Sequence, residues 1–153
     1  MTTDKLLLLQ EEMADFQSAA NHLRYSLERT RTLLPGDGWN PDELARLEAL
    51  ASRFARLSDL LTQRIMRLID DLELTPANTL LDRIYRAEKR GWIEKAESLV
   101  RIRELRNLIA HEYAADKMGE IYSTVAMLAP ELLALVPKVT EYAAKLAQKY
   151  SAR

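Results

Sequence analysis

The chain of 153 residues contains no cysteine, only four glycines and only five prolines. Without cysteine it can form neither a disulfide framework nor a cysteine-ligated zinc site, and we expect an intracellular, cytoplasmic protein. Few glycines and prolines among abundant leucine, alanine, arginine and glutamate leave little to interrupt helices. The composition predicts an all-α protein with a single domain over residues 1–153, long enough to form a core without a metal or disulfide.

Export signals and membrane spans are also missing from the sequence. The start, MTTDKLLLLQEEMADF, has a run of four leucines, whereas a signal peptide needs a basic start and a longer apolar stretch. No window approaches the roughly 18 continuous apolar residues that a membrane helix needs. The formal net charge is −1, so any contact with nucleic acid is expected to be local rather than due to overall charge.

Apolar residues recur at helical spacing in five stretches of the chain. The second stretch begins with a cap at Asn40, a proline at Pro41 and a glutamate at Glu43, the pattern of a helix start. Two long antiparallel helices then indicate a bundle. The predicted helices cover about 4–34, 41–72, 80–90, 93–114 and 118 to the C-terminus.

Two prolines fall within the last predicted helix. Proline in a helix interior removes a hydrogen bond and clashes with the preceding turn. Pro130 and Pro137 therefore predict a kink or a break near Ala129. Pro76, between the second and third helices, and Gly91, after the third, are predicted to end their helices.

The fourth predicted helix carries the segment RELRNLIAHEY, which starts at Arg103 and ends at Tyr113. At about 100° per residue, one arc of this helix is apolar and is expected to face the core. This arc contains Ile102, Leu105, Leu108 and Ile109. The polar residues are expected together on the other side: Arg103, Arg106, Asn107, His111 and Tyr113.

Arg106 and His111 are suited to phosphate chemistry. A guanidinium offers a fixed fork of donors to phosphate, and an imidazole can exchange a proton near neutral pH without a metal. The two residues are about 140° apart on an ideal helix, so they are expected to flank a ligand, while Asn107 and His111 are close enough to touch. A helical histidine beside an arginine is also a common surface feature, and the neighbouring Glu104 and Glu112 weaken a purely anion-binding interpretation.

Other sites have weaker support in the sequence. His22 has no second histidine nearby and is interpreted as structural, so no metal site is predicted. The GDG segment around Asp37 lacks the lysine of a phosphate loop and is interpreted as a turn. The acidic segment IDDLE, from Asp70 to Glu73, is interpreted as an exposed helix end.

The string RNLIAHEY resembles the motif of the HEPN superfamily: an arginine, a polar residue, three others and then a histidine. The tyrosine two places after the histidine is similar to the HepT-type branch, which bacteria pair with a minimal nucleotidyltransferase antitoxin. Two further segments, RFARLSDLLTQRI and LLDRIYRAEKRGWI, also resemble this branch, so the resemblance covers about residues 40 to 115. The first and last helices agree only in being helical.

The resemblance implies an up-and-down bundle of four to five helices that forms a homodimer, with two motif helices lining one cleft. It implies a toxin that cleaves RNA as a metal-independent endoribonuclease and needs no cofactor. By the same resemblance, Arg106 would hold the phosphate, His111 would be the general acid or base and Asn107 would position one of them. Arg103 is a weaker candidate for substrate binding, and Tyr113 would accept AMP from the partner antitoxin.

Two other functions remain open at the level of sequence. In the first, the protein is a non-catalytic nucleotide-binding or substrate-binding subunit of a nucleotidyltransferase, and the same residues bind phosphate without cleaving it. In the second, the chain is a helical interaction module without a chemical site. The nearly neutral charge favours a narrow RNA substrate or none, because a nuclease of bulk RNA profits from a basic surface.

Overall fold

A computed structural model describes residues 2–75, 79–111 and 115–151. Within these ranges the protein is an all-α bundle of five helices without strands, which confirms the predicted fold class. A short 3₁₀ turn, Arg31–Leu33, follows the first helix. The helices are α1 (Thr2–Arg29), α2 (Pro41–Asp59, a π-helical turn Leu60–Ile65, and Met66–Leu72), α3 (Leu80–Lys89), α4 (Ala96–Ala110) and α5 (Ala115–Ser151).

The start of α2 is fixed by a capping box. The Asn40 side chain accepts a hydrogen bond from the Glu43 backbone N–H at 2.8 Å, and the Glu43 carboxylate accepts one from the Asn40 N–H at 3.0 Å. Pro41 occupies the first helical turn, where its missing N–H costs no hydrogen bond. The predicted beginning of the second helix is confirmed to the residue.

The π-helical turn Leu60–Ile65 interrupts α2 at its middle. Here the Met66 N–H donates to the carbonyl of Leu61, five residues back, rather than to that of Thr62. The released Thr62 carbonyl accepts a hydrogen bond from Arg83 Nε at 3.1 Å. Because Arg83 belongs to α3, the widened turn of α2 provides the attachment point for the following helix.

Helix α3 ends as the sequence predicts. Gly91 has a φ of +80°, a left-handed conformation that glycine adopts without strain. The Gly91 N–H donates to the Glu88 carbonyl at 3.1 Å, and the Trp92 N–H donates to the Ala87 carbonyl at 3.0 Å. This pair of bonds is a Schellman motif, and it turns the buried Trp92 back toward the core.

One continuous hydrophobic core lies between the helices. Its largest fully buried side chains include Phe16 of α1, Phe54 of α2 and Tyr122 of α5. Trp39, in the connection before α2, packs edge-on against Tyr122 with ring centroids 5.7 Å apart. The core thus joins the first, second and last helices, and α4 is packed against α2, α3 and α5.

Of the kink or break predicted near Ala129, the break is wrong, because α5 continues through both prolines, and the kink stays a prediction. Pro130 and Pro137 are exposed, so water can reach the carbonyls that lose their intrahelical partners. The opposite face is held in the core by buried residues such as Ala129 and Val136. Tertiary packing therefore outweighs the local preference of proline.

By length and composition alone, α5 is also apolar enough to cross a membrane. Core helices of soluble proteins pass the same test, and 44% of its most apolar window is buried inside the bundle. The apolar stripe predicted for this helix, which includes Val125, Leu132 and Val139, is buried in the core. The packing of the bundle accounts for this apolar stripe of α5.

Candidate functional site

The motif helix α4 is rotated slightly from its predicted orientation. Ile102 and Leu105 are buried and Ile109 is half-buried, as predicted, but Leu108 is 39% exposed. The prediction that Leu108 faces the core is wrong. Around an ideal helix it lies about 60° outside the arc shared by the other three, so the inward face of α4 is narrower than its apolar composition indicates.

Two arginines of α4 converge on one aspartate of α2. Arg106 donates to both carboxylate oxygens of Asp59, from Nε at 2.7 Å and from Nη2 at 2.8 Å. Arg103 donates to the same carboxylate from Nη1, also at 2.7 Å. Bidentate pairs of this kind fix direction as well as distance. Asp59, the last residue before the π turn, therefore holds both guanidinium groups side by side.

The charges of this cluster shift its titration. Burial alone would raise the pKa of Asp59, but the hydrogen bonds and positive charges of Arg106 and Arg103 outweigh it and hold the pKa below 3.8, the ordinary value. The hydrogen bond to Asp59 raises the pKa of Arg106 in turn. The cluster therefore stays ionised throughout the neutral range.

The Asp59 cluster forms the wall of a groove of about 620 Å³ between α2 and α4. We call it the arginine groove, because its lining holds four arginines and one carboxylate, that of Asp59. Arg64 is partly offset by an ion pair with Glu12 of α1 at 3.3 Å. The four arginines are Arg56, Arg64, Arg103 and Arg106. The surplus of positive charge suits an anionic ligand.

The other two described residues of the motif lie away from this groove. Asn107 and His111 are exposed, and His111 ends α4, where its N–H donates to the Leu108 carbonyl at 3.3 Å. Within the described part of the chain, neither side chain has a hydrogen-bond partner, so no hydrogen bond joins the two. The structure thus divides the predicted polar face: Arg103 and Arg106 turn toward α2, while Asn107 and His111 face solvent.

Two residues of the motif segment, Glu112 and Tyr113, lie outside the described residues. The proposed AMP acceptor and the role of Glu112 therefore stay predictions from the sequence, as does the break assigned to Pro76. His22, interpreted as structural, is exposed on α1. Across the ranges that the structure describes, no three histidine, aspartate or glutamate side chains lie close enough to hold a metal ion.

The IDDLE segment is not the exposed helix end that the sequence indicates. Asp70 is only 2% exposed and pairs with Arg90 at 2.8 Å and with Arg86 at 3.2 Å. Arg90 also pairs with Glu73 at 2.6 Å, and Glu73 accepts a short hydrogen bond from the Tyr142 hydroxyl. The interpretation is wrong because the compensating positive charges, Arg86 and Arg90, come from α3 and the residue after it, at a distance along the chain that spacing within α2 does not indicate.

Comparison with protein-family models, curated proteins and solved structures finds no match for this chain. The inference of function therefore depends on three features. These are the arginine groove, the exposed histidine at the end of α4 and the resemblance of the motif segment to the HEPN superfamily.

Proposed function

We propose that the protein is the toxin of a toxin–antitoxin pair and acts as a metal-independent endoribonuclease. One observation carries the proposal: Arg106 of the HEPN-like motif lines a groove with four arginines and one carboxylate, in a chain whose net charge is −1. A site for the RNA backbone needs positive charge, and in a molecule of nearly neutral net charge that positive charge must be concentrated locally. The groove supports the assignment of Arg106 as the phosphate-binding residue.

The proposed reaction uses the RNA's own 2′-hydroxyl. Its oxygen attacks the adjacent phosphorus while the bond from phosphorus to the 5′ oxygen breaks, which gives a 2′,3′-cyclic phosphate and a free 5′-hydroxyl. A base takes the proton of the 2′-hydroxyl, and an acid gives a proton to the departing 5′ oxygen. Arg106 stabilises the charge that develops on the phosphate oxygens, and His111 serves as acid or base. No electrons are exchanged, so the step needs no redox cofactor.

Asp59 has a defined part in this proposal. Its carboxylate occupies the Nε and Nη2 donors of Arg106, the same fork that a phosphate would use. An incoming phosphate shares or displaces that carboxylate, while Asp59 keeps both guanidinium groups in place before the substrate arrives. Asp59 is therefore a positioning residue.

A homodimer is part of the proposal because one chain separates its two reactive groups. His111 is about 140° from Arg106 around α4, and it is not among the residues that line the arginine groove. If two motif helices meet across a two-fold axis, the second copy contributes its own histidine and arginine to a shared cleft. The exposed side chains of Asn107 and His111 are available for such a meeting.

Control of the toxin is assigned to a minimal nucleotidyltransferase encoded as its antitoxin. Transfer of AMP to Tyr113 would add a bulky anion two residues after His111. The adduct would fill the cleft and repel the RNA backbone, because it has the same sign of charge. The intact mass of the protein after coexpression with such a partner tests this step.

Cleavage by the purified protein in the presence of EDTA tests the proposed function. His111→Ala is expected to lower the cleavage rate by roughly 100- to 10,000-fold, the usual contribution of a general acid or base. The matched control is His22→Ala, since His22 is also exposed and lies on another helix.

Arg106→Ala is expected to abolish cleavage, whereas Arg101→Ala on the same helix should not, because Arg101 lies on another face near Glu131. Helical content measured by circular dichroism should stay the same in all four variants. Undiminished cleavage by both His111→Ala and Arg106→Ala would overturn the proposal.

The state of two motif side chains favours a second candidate function, in which the protein is a non-catalytic binding subunit of a nucleotidyltransferase. Among the described residues nothing orients the His111 imidazole, and Arg106 is already bound to Asp59. Such an arrangement suits binding of a phosphate better than proton transfer. RNA or nucleotide binding that Arg106→Ala weakens, together with no cleavage by the dimer, would select this function.

A further inference from the structure

A second basic pocket lies beside the arginine groove, between α1 and α2. It has a volume of about 230 Å³ and surrounds Tyr25, whose side chain is 59% exposed. The guanidinium carbon of Arg29 lies 5.5 Å from the centre of the Tyr25 ring, and that of Arg53 lies 6.0 Å from it. We call this the tyrosine pocket.

Two of the three arginines that line the tyrosine pocket are held in place by the chain itself. Arg53 Nη1 donates to the Ser26 hydroxyl at 2.7 Å and to the His22 carbonyl at 3.3 Å. Arg46 Nη2 lies 2.7 Å from the carboxylate of Asp42. The Tyr25 ring is mostly exposed even with two guanidinium groups lying over it, so a nucleobase can stack on the exposed part of the ring, because every base has a π face.

The two pockets form one strip along α2. Arg53 lines the tyrosine pocket and Arg56 lines the arginine groove, and residues three apart on a helix are neighbours. From Arg46 to Asp59 the strip is about 20 Å long, at 1.5 Å per residue. Together the two linings hold seven arginines and two aspartates. The strip is therefore strongly positive on a molecule with a net charge of −1.

We propose that the tyrosine pocket is a second subsite for single-stranded RNA. A base stacks on Tyr25, and the phosphates that follow it run along α2 to the arginine groove, where cleavage takes place. The subsite rests on the proposed ribonuclease function, and it adds a requirement for unpaired bases upstream or downstream of the cut. Duplex RNA is a poor ligand because its bases are already stacked on each other.

Equilibrium binding of a fluorescent RNA of about twelve nucleotides tests the subsite, with 2′-O-methyl groups to prevent cleavage. Such a length lies within the roughly 4–16 nucleotides that single-strand sites span. Tyr25→Ala is expected to weaken binding about tenfold, in the range reported for one stacked base, and Tyr25→Phe should bind as the wild type does. The matched control is Tyr85→Ala, because Tyr85 is 52% exposed on α3 and should not affect binding.

The same oligonucleotide with abasic sugars separates stacking from charge. It keeps the phosphates and removes the bases, so wild type and Tyr25→Ala are expected to bind it equally. A Tyr25→Ala effect that persists with abasic RNA would contradict stacking, and equal binding of normal RNA by wild type, Tyr25→Ala and Tyr85→Ala would overturn the subsite.

The outcomes for the two proposals are distinct. If the wild-type protein binds the RNA and Arg106→Ala weakens that binding, but Tyr25→Ala does not, only the second subsite falls. If the wild-type protein does not bind the RNA at all, the subsite falls, while the cleavage assay in EDTA separately decides the ribonuclease function. Because Tyr25 is largely exposed, unchanged thermal unfolding of Tyr25→Ala is expected and excludes misfolding as the cause of weak binding.

Discussion

Asp59 fixes the geometry of the candidate site, although it lies far from the motif segment in the sequence. It is 47 positions from Arg106 along the chain, and both of its carboxylate oxygens accept hydrogen bonds from the Arg106 guanidinium. It also accepts a hydrogen bond from Arg103. Without it, the two arginines would repel each other and lose their fixed directions.

The stability of the Asp59 cluster is expected to depend on acid pH. The folded-state pKa of Asp59 is lowered below 3.8, so its stabilisation is present above that value and is lost as pH falls through the folded-state pKa. Asp59→Asn should lower the free energy of unfolding by about 1 kcal/mol at pH 6, since screening limits a partly exposed pair. Urea unfolding should show a smaller loss at pH 2 than at pH 6, because the charge of Asp59 is removed as pH falls through its folded-state pKa.

A suitable control for this pH dependence is Asp71→Asn. Asp71 is exposed on the same helix, and its substitution should change stability little at either pH. A deficit of Asp59→Asn that is equally large at both pH values would contradict the role of its charge.

At the scale of residues, the sequence identifies the side chains of the motif but not the residues that pack against them. The string around Arg106 and His111 is local, so its chemistry can be inferred from spacing. Asp59 and Tyr25 come to their sites only through packing of distant helices, and neither has a local signal. The buried Asp70 was predicted wrongly for the same reason, since its partners belong to α3.

At the scale of elements, the π turn of α2 determines how α3 is attached to the bundle. It releases the Thr62 carbonyl, and Arg83 of α3 donates to it. Arg83 is buried. Among the described residues, no carboxylate accepts two hydrogen bonds from it in the way that Asp59 does from Arg106. Burial, followed by the nearby charge of Arg67, lowers the pKa of Arg83. Its hydrogen bond to Thr62 is therefore an important part of the contact between these helices.

Arg83→Met is expected to destabilise the protein by about 2 kcal/mol, because it leaves a buried carbonyl without its donor. The measurement is the free energy of unfolding from urea denaturation. Arg67→Met is the matched control: Arg67 is exposed on α2, and removing its charge should change stability by less than about 0.5 kcal/mol. Equal stability of Arg83→Met and wild type would show that the released carbonyl is satisfied in another way.

The start of α2 and the end of α3 could be predicted from the sequence because their capping signals are local. The start of α4 is at Ala96, three residues after the predicted position, and its first N–H donates to the carboxylate of Glu88 in α3. The π turn was not predicted, although the buried residues Leu57, Leu61, Ile65 and Ile69 repeat every four positions. Three successive steps of four drift from the period of 3.6, and a wider turn absorbs the drift. The prolines of α5 show the opposite case, a local signal that the core overrules.

For the whole molecule, charge is distributed unevenly rather than present in excess. The net charge is −1, yet the linings of the two pockets along α2 hold a surplus of five positive charges. The remainder of the chain is therefore acidic, and it should discourage binding of RNA anywhere else. Under the proposed function, this contrast confines the RNA backbone to one surface of the molecule.

Binding of single-stranded RNA is expected to weaken steeply as salt rises. Each phosphate contact adds about −0.7 to the slope of log affinity against log salt, so about four contacts give a slope near −3. Arg56→Gln should reduce the slope by about one contact, whereas Arg101→Gln, outside both pockets, should leave it unchanged. Fluorescence anisotropy across a salt series measures the slope, and a slope near zero would contradict a backbone-binding strip.

The π turn also makes the length of α2 a condition for its contact with α3. Losing one residue between Leu60 and Ile65 would restore an ordinary α-helix and leave both flanks facing as they do now, because a π turn accommodates one extra residue. The carbonyl that now accepts from Arg83 would then bond within α2, and the buried guanidinium would lose its acceptor. In descendants of this chain, single-residue insertions and deletions within the turn should therefore be rare.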